Sequence, residues 1–224
     1  MISEFTVVGD GFVRLVDQMG DDLSVVKAAR VSYGQDSKGE EADKKLINYM
    51  MKHNHGTPFE HIVYTFHIKC PIFVARQWFR HRMGSFNEIS GRYVELDTNF
   101  WIPNVWRSNN QENKQSSTDG GFTPVEAEKL YRKYHSVLDL SSMIYEELLE
   151  AGVAREQARA ILPIGTYTEF YWTVNARSLF NFLSLRTAPD AQEEMRDWAI
   201  AVQQIVEPTA LETFKAYNAL EESK

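Results

Sequence analysis

Cysteine is almost missing from this 224-residue chain: Cys70 stands alone, which excludes an intrachain disulfide and a two-cysteine redox or metal motif. Beside Pro71 in an apolar stretch, that thiol reads as a packed residue rather than a reactive one. No apolar run approaches the roughly 20 residues that span a bilayer, and the start Met1-Ile2-Ser3-Glu4 is too acidic for a signal peptide. A soluble, cytoplasmic protein with no membrane partner is therefore expected. Positive charge is in deficit, 24 Lys and Arg against 31 Asp and Glu, for a net charge of −7. That balance argues against a nucleic-acid backbone as the main partner, which calls for broad positive surfaces. No G-x-G-x-x-G follows a strand-like run, so a Rossmann unit is excluded too. Internal repeats and low-complexity domains are likewise absent.

What is present suffices for one domain over residues 1–224, with 43% hydrophobic and 12% aromatic residues. The periodicities predict strands over Phe12–Met19, Val63–Lys69 and Tyr167–Val174. Helices are predicted from an Asp22 or Ser24 cap to Arg30, and over Glu40–His53, Pro71–Phe79, Pro124–Glu150 and Ala154–Leu162. Another runs from an Asn175 cap to Leu185, and the chain from Ala191 onward reads as helical with a break near Pro208. Arg107 to Gly121, rich in Ser, Asn, Gln and Gly, reads as a mobile loop long enough to form a lid. The fold class is α+β, mostly helical with a small antiparallel sheet. Arginines cluster within this acidic chain: Arg76, Arg80, Arg82 and Arg92 in one stretch, Arg155, Arg159, Arg177 and Arg186 in another. Planar guanidinium forks in such clusters suit small phosphorylated ligands.

The densest chemistry lies in Arg80-His81-Arg82-Met83-Gly84-Ser85-Phe86-Asn87-Glu88-Ile89-Ser90-Gly91-Arg92. Cations are favoured at a helix C-terminus by about 0.3–1 kcal/mol, so Arg80 to Arg82 with Gly84 as the cap has a purely structural explanation. The polar residues Ser85, Asn87, Glu88, Ser90 and Arg92 that follow do not. The stretch predicts a polar loop delivered by the rigid helix that begins at Pro71. Ser90 has no adjacent base to activate it as a nucleophile, which leaves a hydrogen-bonding role, with Gly91 admitting close backbone approach. His53, His55, His61 and His67 with Cys70 lack convincing zinc spacing, and no metal is expected.

The pattern R-H-R followed by seven residues and a serine, Arg80 to Ser90, resembles the signature of the flavin-dependent thymidylate synthases. His55-Gly56-Thr57-Pro58-Phe59-Glu60-His61, Asn175-Ala176-Arg177-Ser178-Leu179-Phe180-Asn181-Phe182 and Leu185-Arg186 resemble further blocks of that family. The match spans about Phe12 to Trp198. It implies a homotetramer with FAD and nucleotide held between subunits. The dUMP contacts it implies are Gln77, Trp78, Phe79 and Arg80, then Glu88, Ile89, Ser90, Gly91 and Arg92, with Arg159 and Arg186. The FAD contacts it implies are His55, Thr57, Arg80, His81, Arg82, Glu88, Asn175, Ala176, Arg177 and Asn181. The implied reaction is reductive methylation of dUMP to dTMP, with 5,10-methylenetetrahydrofolate as carbon donor, NADPH as reductant and Arg186 as the catalytic group beside the uracil. One departure is Asp190, where many members carry histidine, and its charge would repel a pyrophosphate.

Arg177 and Asn181, four residues apart, share a helix face, whereas Arg186 lies nine residues or roughly 900° from Arg177 and is expected on the opposite face. That geometry predicts a site composed from more than one subunit. Two other classes compete with the enzyme: a catalytically silent flavin- or nucleotide-binding regulator, and an RNA-binding module using Arg80, Arg82 and Arg92 beside Phe86 and Tyr93. The set of Arg186, Ser90 and Glu88 disfavours the first, and the net negative charge the second.

Overall fold

The computed structural model describes residues 3–34, 36–111, 117–118 and 120–223. In chain order it runs β1 (Glu4–Thr6), β2 (Phe12–Met19), α1 (Asp22–Arg30), α2 (Glu40–Lys52), β3 (Val63–Pro71), α3 (Ile72–Trp78) and β4 (Ser85–Glu88). Next come β5 (Ser108–Asn109), β6 (Ser117–Thr118), α4 (Pro124–Glu150), α5 (Arg155–Ala158), β7 (Tyr167–Asn175), α6 (Ala176–Arg186), α7 (Glu193–Val206) and α8 (Leu211–Glu222). Five strands form one antiparallel sheet in the order β1-β2-β3-β7-β4. The α+β class with a small antiparallel sheet is what the sequence predicts.

Strict alternation explains why β3 is central. Tyr64, Phe66, Ile68 and Cys70 on one side are fully buried, while His67 on the other pairs with Glu169 at 2.9 Å and stacks on Tyr171. Under that buried face Trp78 packs edge-on to Phe170 and Trp172, at 5.5 and 5.3 Å between ring centroids, and against Phe182 at 4.9 Å. Such fully buried rings stabilise by about 1.5–3 kcal/mol each. Cys70 lies inside this core, where burial pushes its thiol well up, so it has no thiolate character.

Several expectations need correcting. Pro71 does not open the helix; it is the last residue of β3, paired with Tyr167 and extended at φ −61°, ψ 147°. The free N–H groups of Ile72 and Phe73 at the start of α3 donate instead to Thr166 O and Ile164 O, at 2.9 and 3.1 Å. The helix stops at Trp78, and Gly84 is not its cap. A Cβ there would meet Trp172 Nε1 at 2.8 Å, so Gly84 permits the close approach of an edge strand. That strand, β4, occupies what reads in sequence as a polar loop. Neither Asp22 nor Ser24 is the cap of α1. Asp21 is, in a capping box with Ser24, while Asp22 reaches across to accept from the N–H groups of Glu212 and Thr213 in α8. The predicted helix over Ala154–Leu162 is α5 followed by a 3₁₀ turn at Arg159–Ile161. In the expected mobile loop at 107–121, Ser108–Asn109 and Ser117–Thr118 pair antiparallel, and Arg107 is ion-paired to Glu193 and Glu194. Residues 112–116 and 119 of that expectation lie outside the described residues.

Candidate active site

The cavity of interest opens between the end of α3 and one side of α6. It measures about 730 Å³ and is lined by Arg80, His81, Arg82, Asn175, Arg177, Asn181 and Arg186, with Glu60 as the one carboxylate. Two local features bring these groups together. Past Trp78 the chain continues as turns, with Arg80 N–H donating to Gln77 O and His81 N–H to Trp78 O, which presents Arg80 to Arg82 at the rim. Asn175 then starts α6 as predicted, its side chain accepting from Ser178 N–H at 2.9 Å, a cap contributing about 1 kcal/mol.

Arg186 is the most constrained cation of the group. Its Nε donates to His81 Nε2 at 2.9 Å, and its terminal nitrogens reach Gln77 O at 3.3 Å and Gln77 Oε1 at 3.5 Å. Gln77 O, one of the last carbonyls of α3, accepts from Arg80 N–H and has a second lone pair for the guanidinium. Because a guanidinium only donates, His81 Nε2 must accept, which puts the imidazole proton on Nδ1. Burial and the nearby Arg186 charge hold His81 down to about 4, against an ordinary 6.5, so it is neutral at pH 7. Burial presses Arg186 downward as well, yet a guanidinium starts so high that it stays charged. The arrangement is a fixed positive charge supported by neutral groups. Among the described residues no carboxylate pairs with Arg80, Arg82 or Arg186.

A smaller adjoining cavity of about 270 Å³ contains His55 and Gly56 and shares Arg177 and Asn181 with the larger one. A Cβ on Gly56 would meet Arg177 Nε at 2.5 Å, so glycine lets the Arg177 side chain pack directly against the turn, where it pairs with Glu60 at 2.5 Å. Thr57 is exposed at the start of the following 3₁₀ turn.

The remaining predicted residues are not gathered here. Glu88, at the end of β4, accepts from Thr168 Oγ1 at 2.7 Å, and Ile89 N–H bonds to Glu169 O. Ser90 Oγ accepts from Arg92 N–H at 3.3 Å in a tight turn, and Gly91 lies so close to Arg159 that a Cβ would meet its Cδ at 3.1 Å. Arg92 pairs with Glu156 at 3.2 Å. Two more lie in the interior: Trp78 and Ala176 are fully buried, and Ala176 N–H is bonded to Ile62 O at 2.8 Å. Phe79 is half-buried between Phe86 and Phe170. Arg177 and Arg186, expected on opposite faces of the helix, both line the larger cavity. The cavity runs along α6, and two long side chains from its ends can bend to the same space although their Cα atoms are half a revolution apart. Sequence reasoning missed Glu60 and Gln192, the partner of Gln77 at 2.5 Å; both stand inside or beside recognised blocks, but neither residue type signals its partner.

Residues 14–210 match the family described as thymidylate synthase complementing protein. The chain is 54% identical over 218 residues to the flavin-dependent thymidylate synthase of Thermosipho melanesiensis, covering 96% of this chain and 95% of that one. The chain belongs to the flavin-dependent thymidylate synthase family. An enzyme of the same name from Thermus thermophilus is 53% identical over 200 residues, 89% of this chain and 73% of that one. Among solved structures, a UMP/dUMP methylase from Streptomyces cacaoi bound with 5-Br dUMP superposes with a TM-score of 0.85 at 35% identity, covering 94% of this chain and 96% of its own.

Proposed function

We propose that this chain carries out the reductive methylation of dUMP to dTMP, drawing the carbon from 5,10-methylenetetrahydrofolate and reducing power from NADPH through FAD. The observation that carries this reading is Arg186, a cation held by neutral His81 and Gln77 in a cavity rimmed by Arg80, Arg82 and Arg177. The volume falls within the ordinary range for small-molecule sites, and cations with few acidic partners fit a ligand bearing phosphates. Arg80, His81, Arg82, Arg177 and Asn181, with His55 and Thr57 nearby, would hold the flavin, the start of α6 adding its positive end. A flavin held there would, once reduced by NADPH, supply the hydride needed to turn the transferred one-carbon unit into a methyl group. The chain's own contribution is electrostatic and positional: Arg186 beside a uracil stabilises negative charge developing on the ring and so raises the nucleophilicity of C5.

Ser90, Gly91, Arg92 and Arg159 form a second cluster outside the two cavities described above. This division supports a homotetramer in which the nucleotide is enclosed by residues of more than one subunit. Large exposed apolar side chains such as Val31, Tyr33 and Met83 are consistent with further burial on assembly. No helix among the described residues is long and apolar enough to cross a membrane.

The test is turnover with all components: dUMP, methylenetetrahydrofolate, NADPH and FAD should yield dTMP. A protein that binds flavin and dUMP but forms no dTMP would be the silent regulator instead. The shared site has its own check. Arg186→Ala and Arg92→Ala chains, each inactive, should regain roughly a quarter of wild-type turnover when mixed and reassembled, since about that share of sites draws both intact arginines. Inactive mixtures whose hybrid assembly is verified would refute the composite site.

A further inference from the structure

We propose that Gln192 and Glu194 are positioning residues for Arg186, holding its guanidinium in place through an oriented chain of side-chain hydrogen bonds that runs from Arg186 to the Glu194 carboxylate, which Arg107 anchors from the other side. The links are continuous. Arg186 donates to the Gln77 side-chain oxygen at 3.5 Å, Gln77 Nε2 donates to Gln192 Oε1 at 2.5 Å, and Gln192 Nε2 donates to Glu194 Oε2 at 2.8 Å. The other oxygen of Glu194 is held by Arg107, which pairs with Glu193 as well.

The ends of this chain dictate its direction. A guanidinium can only donate and a carboxylate can only accept, so the two amides between them satisfy both ends in one orientation only. Turning over either amide would set an NH₂ group against a donor. Bonds aligned in this way polarise one another, so each link strengthens the next. Glu194 is itself buried, and an enclosed carboxylate demands both of its partners. Gln192 sits at the N-cap position of α7, yet its side chain caps nothing there; its amide is turned instead toward Gln77, 115 residues away in sequence. Local helix capping therefore does not account for it. Glu194 and Arg107 complete the line, tying the residue just before β5 to the cavity.

The catalytic consequence rests on the role given to Arg186 above, but the positioning itself has a readout independent of turnover, the titration of His81 against which Arg186 lies. Histidine-labelled enzyme is titrated by NMR, with the His81 signal assigned from His81→Asn, in wild type, Gln192→Leu and Glu194→Gln. Loosening Arg186 removes a positive charge from the imidazole, so the His81 midpoint is expected to rise by about one unit in Gln192→Leu. In the same preparations kcat for dTMP formation should fall about tenfold to a hundredfold while KM for dUMP changes little, and Gln192→Leu should add no further loss in an Arg186→Ala background. Glu194→Gln keeps the shape and guards against a folding artefact in the first variant. A His81 midpoint unchanged in both variants, with assembly intact, overturns the proposal. A raised midpoint together with unimpaired dTMP formation by Arg186→Ala would leave the positioning standing and remove the catalytic role of Arg186.

Discussion

Around the larger cavity Arg80, Arg82 and Arg186 have no carboxylate partner among the described residues, whereas at the Ser90 turn Arg92 and Arg155 are each matched by an exposed acid, Glu156 and Glu95, both at 3.2 Å. Both groups come from an acidic chain, so supply of carboxylates does not explain the contrast. Placement does. In the cavity the supports are a neutral imidazole, an amide and a main-chain carbonyl, which fix the position of Arg186 without cancelling its charge. On the surface a carboxylate cancels the charge, and solvent weakens the pair. A charge left uncancelled but immobilised is available to a ligand or a transition state.

Replacing Arg186 should break the cavity side of this contrast with the largest effect. Losing one preorganised stabiliser of developing charge commonly costs about 10²–10³ in kcat, so Arg186→Ala should lower dTMP formation by that factor. Arg186→Lys should recover only part, since a lysine lacks the fork that reaches His81 and Gln77 together. Oxidation of NADPH does not draw on that charge and should survive in both variants if flavin remains bound. Measuring the two rates in one preparation decides the matter: dTMP formation at the wild-type rate by Arg186→Ala would refute the assignment.

How much of this contrast is legible in sequence depends on how local each cause is. The alternation of Tyr64, Phe66 and Ile68 marks the central strand, and Asn175 reads correctly as a cap, because both signals lie within a few residues. The strand character of Ser85–Glu88 is hidden, since it derives from pairing with Tyr171 and its neighbours far along the chain. The helical-wheel argument that separates Arg177 from Arg186 yields the angle between Cα positions but not the direction of long side chains or the line of the cavity. The link from Gln77 to Gln192 has no signal at all, because two glutamines carry no complementary charge that would mark them as partners.

The neutral support of Arg186 can be probed by pH. His81 is held at about 4 in the fold and returns toward 6.5 on unfolding, so between those values the unfolded chain binds a proton that the folded chain refuses. Its contribution to stability is therefore intact above about pH 6.5 and is lost progressively as the pH falls toward 4. Urea midpoints of wild type should drop between pH 7 and pH 5, and those of His81→Asn should drop less. Equal losses in the two proteins would mean that the imidazole is not held neutral.

The smallest effect is expected on the surface side, and it tests whether that side is a surface at all. In the protomer Arg92 and Glu156 are 58% and 54% exposed, a setting in which an ion pair contributes about 0–1 kcal/mol. Glu156→Gln should then shift the thermal midpoint by no more than about 2–4 °C, and the shift should shrink as salt is raised. A larger, salt-insensitive loss would show that the Ser90 turn is enclosed in the assembly, since a pair sheltered from solvent is strongly destabilised when one partner is removed. The second arginine group would then resemble the first in shelter while differing in charge balance. Comparing Glu156→Gln in assembled protein and in dissociated subunits would separate the contribution of the interface from that of the protomer.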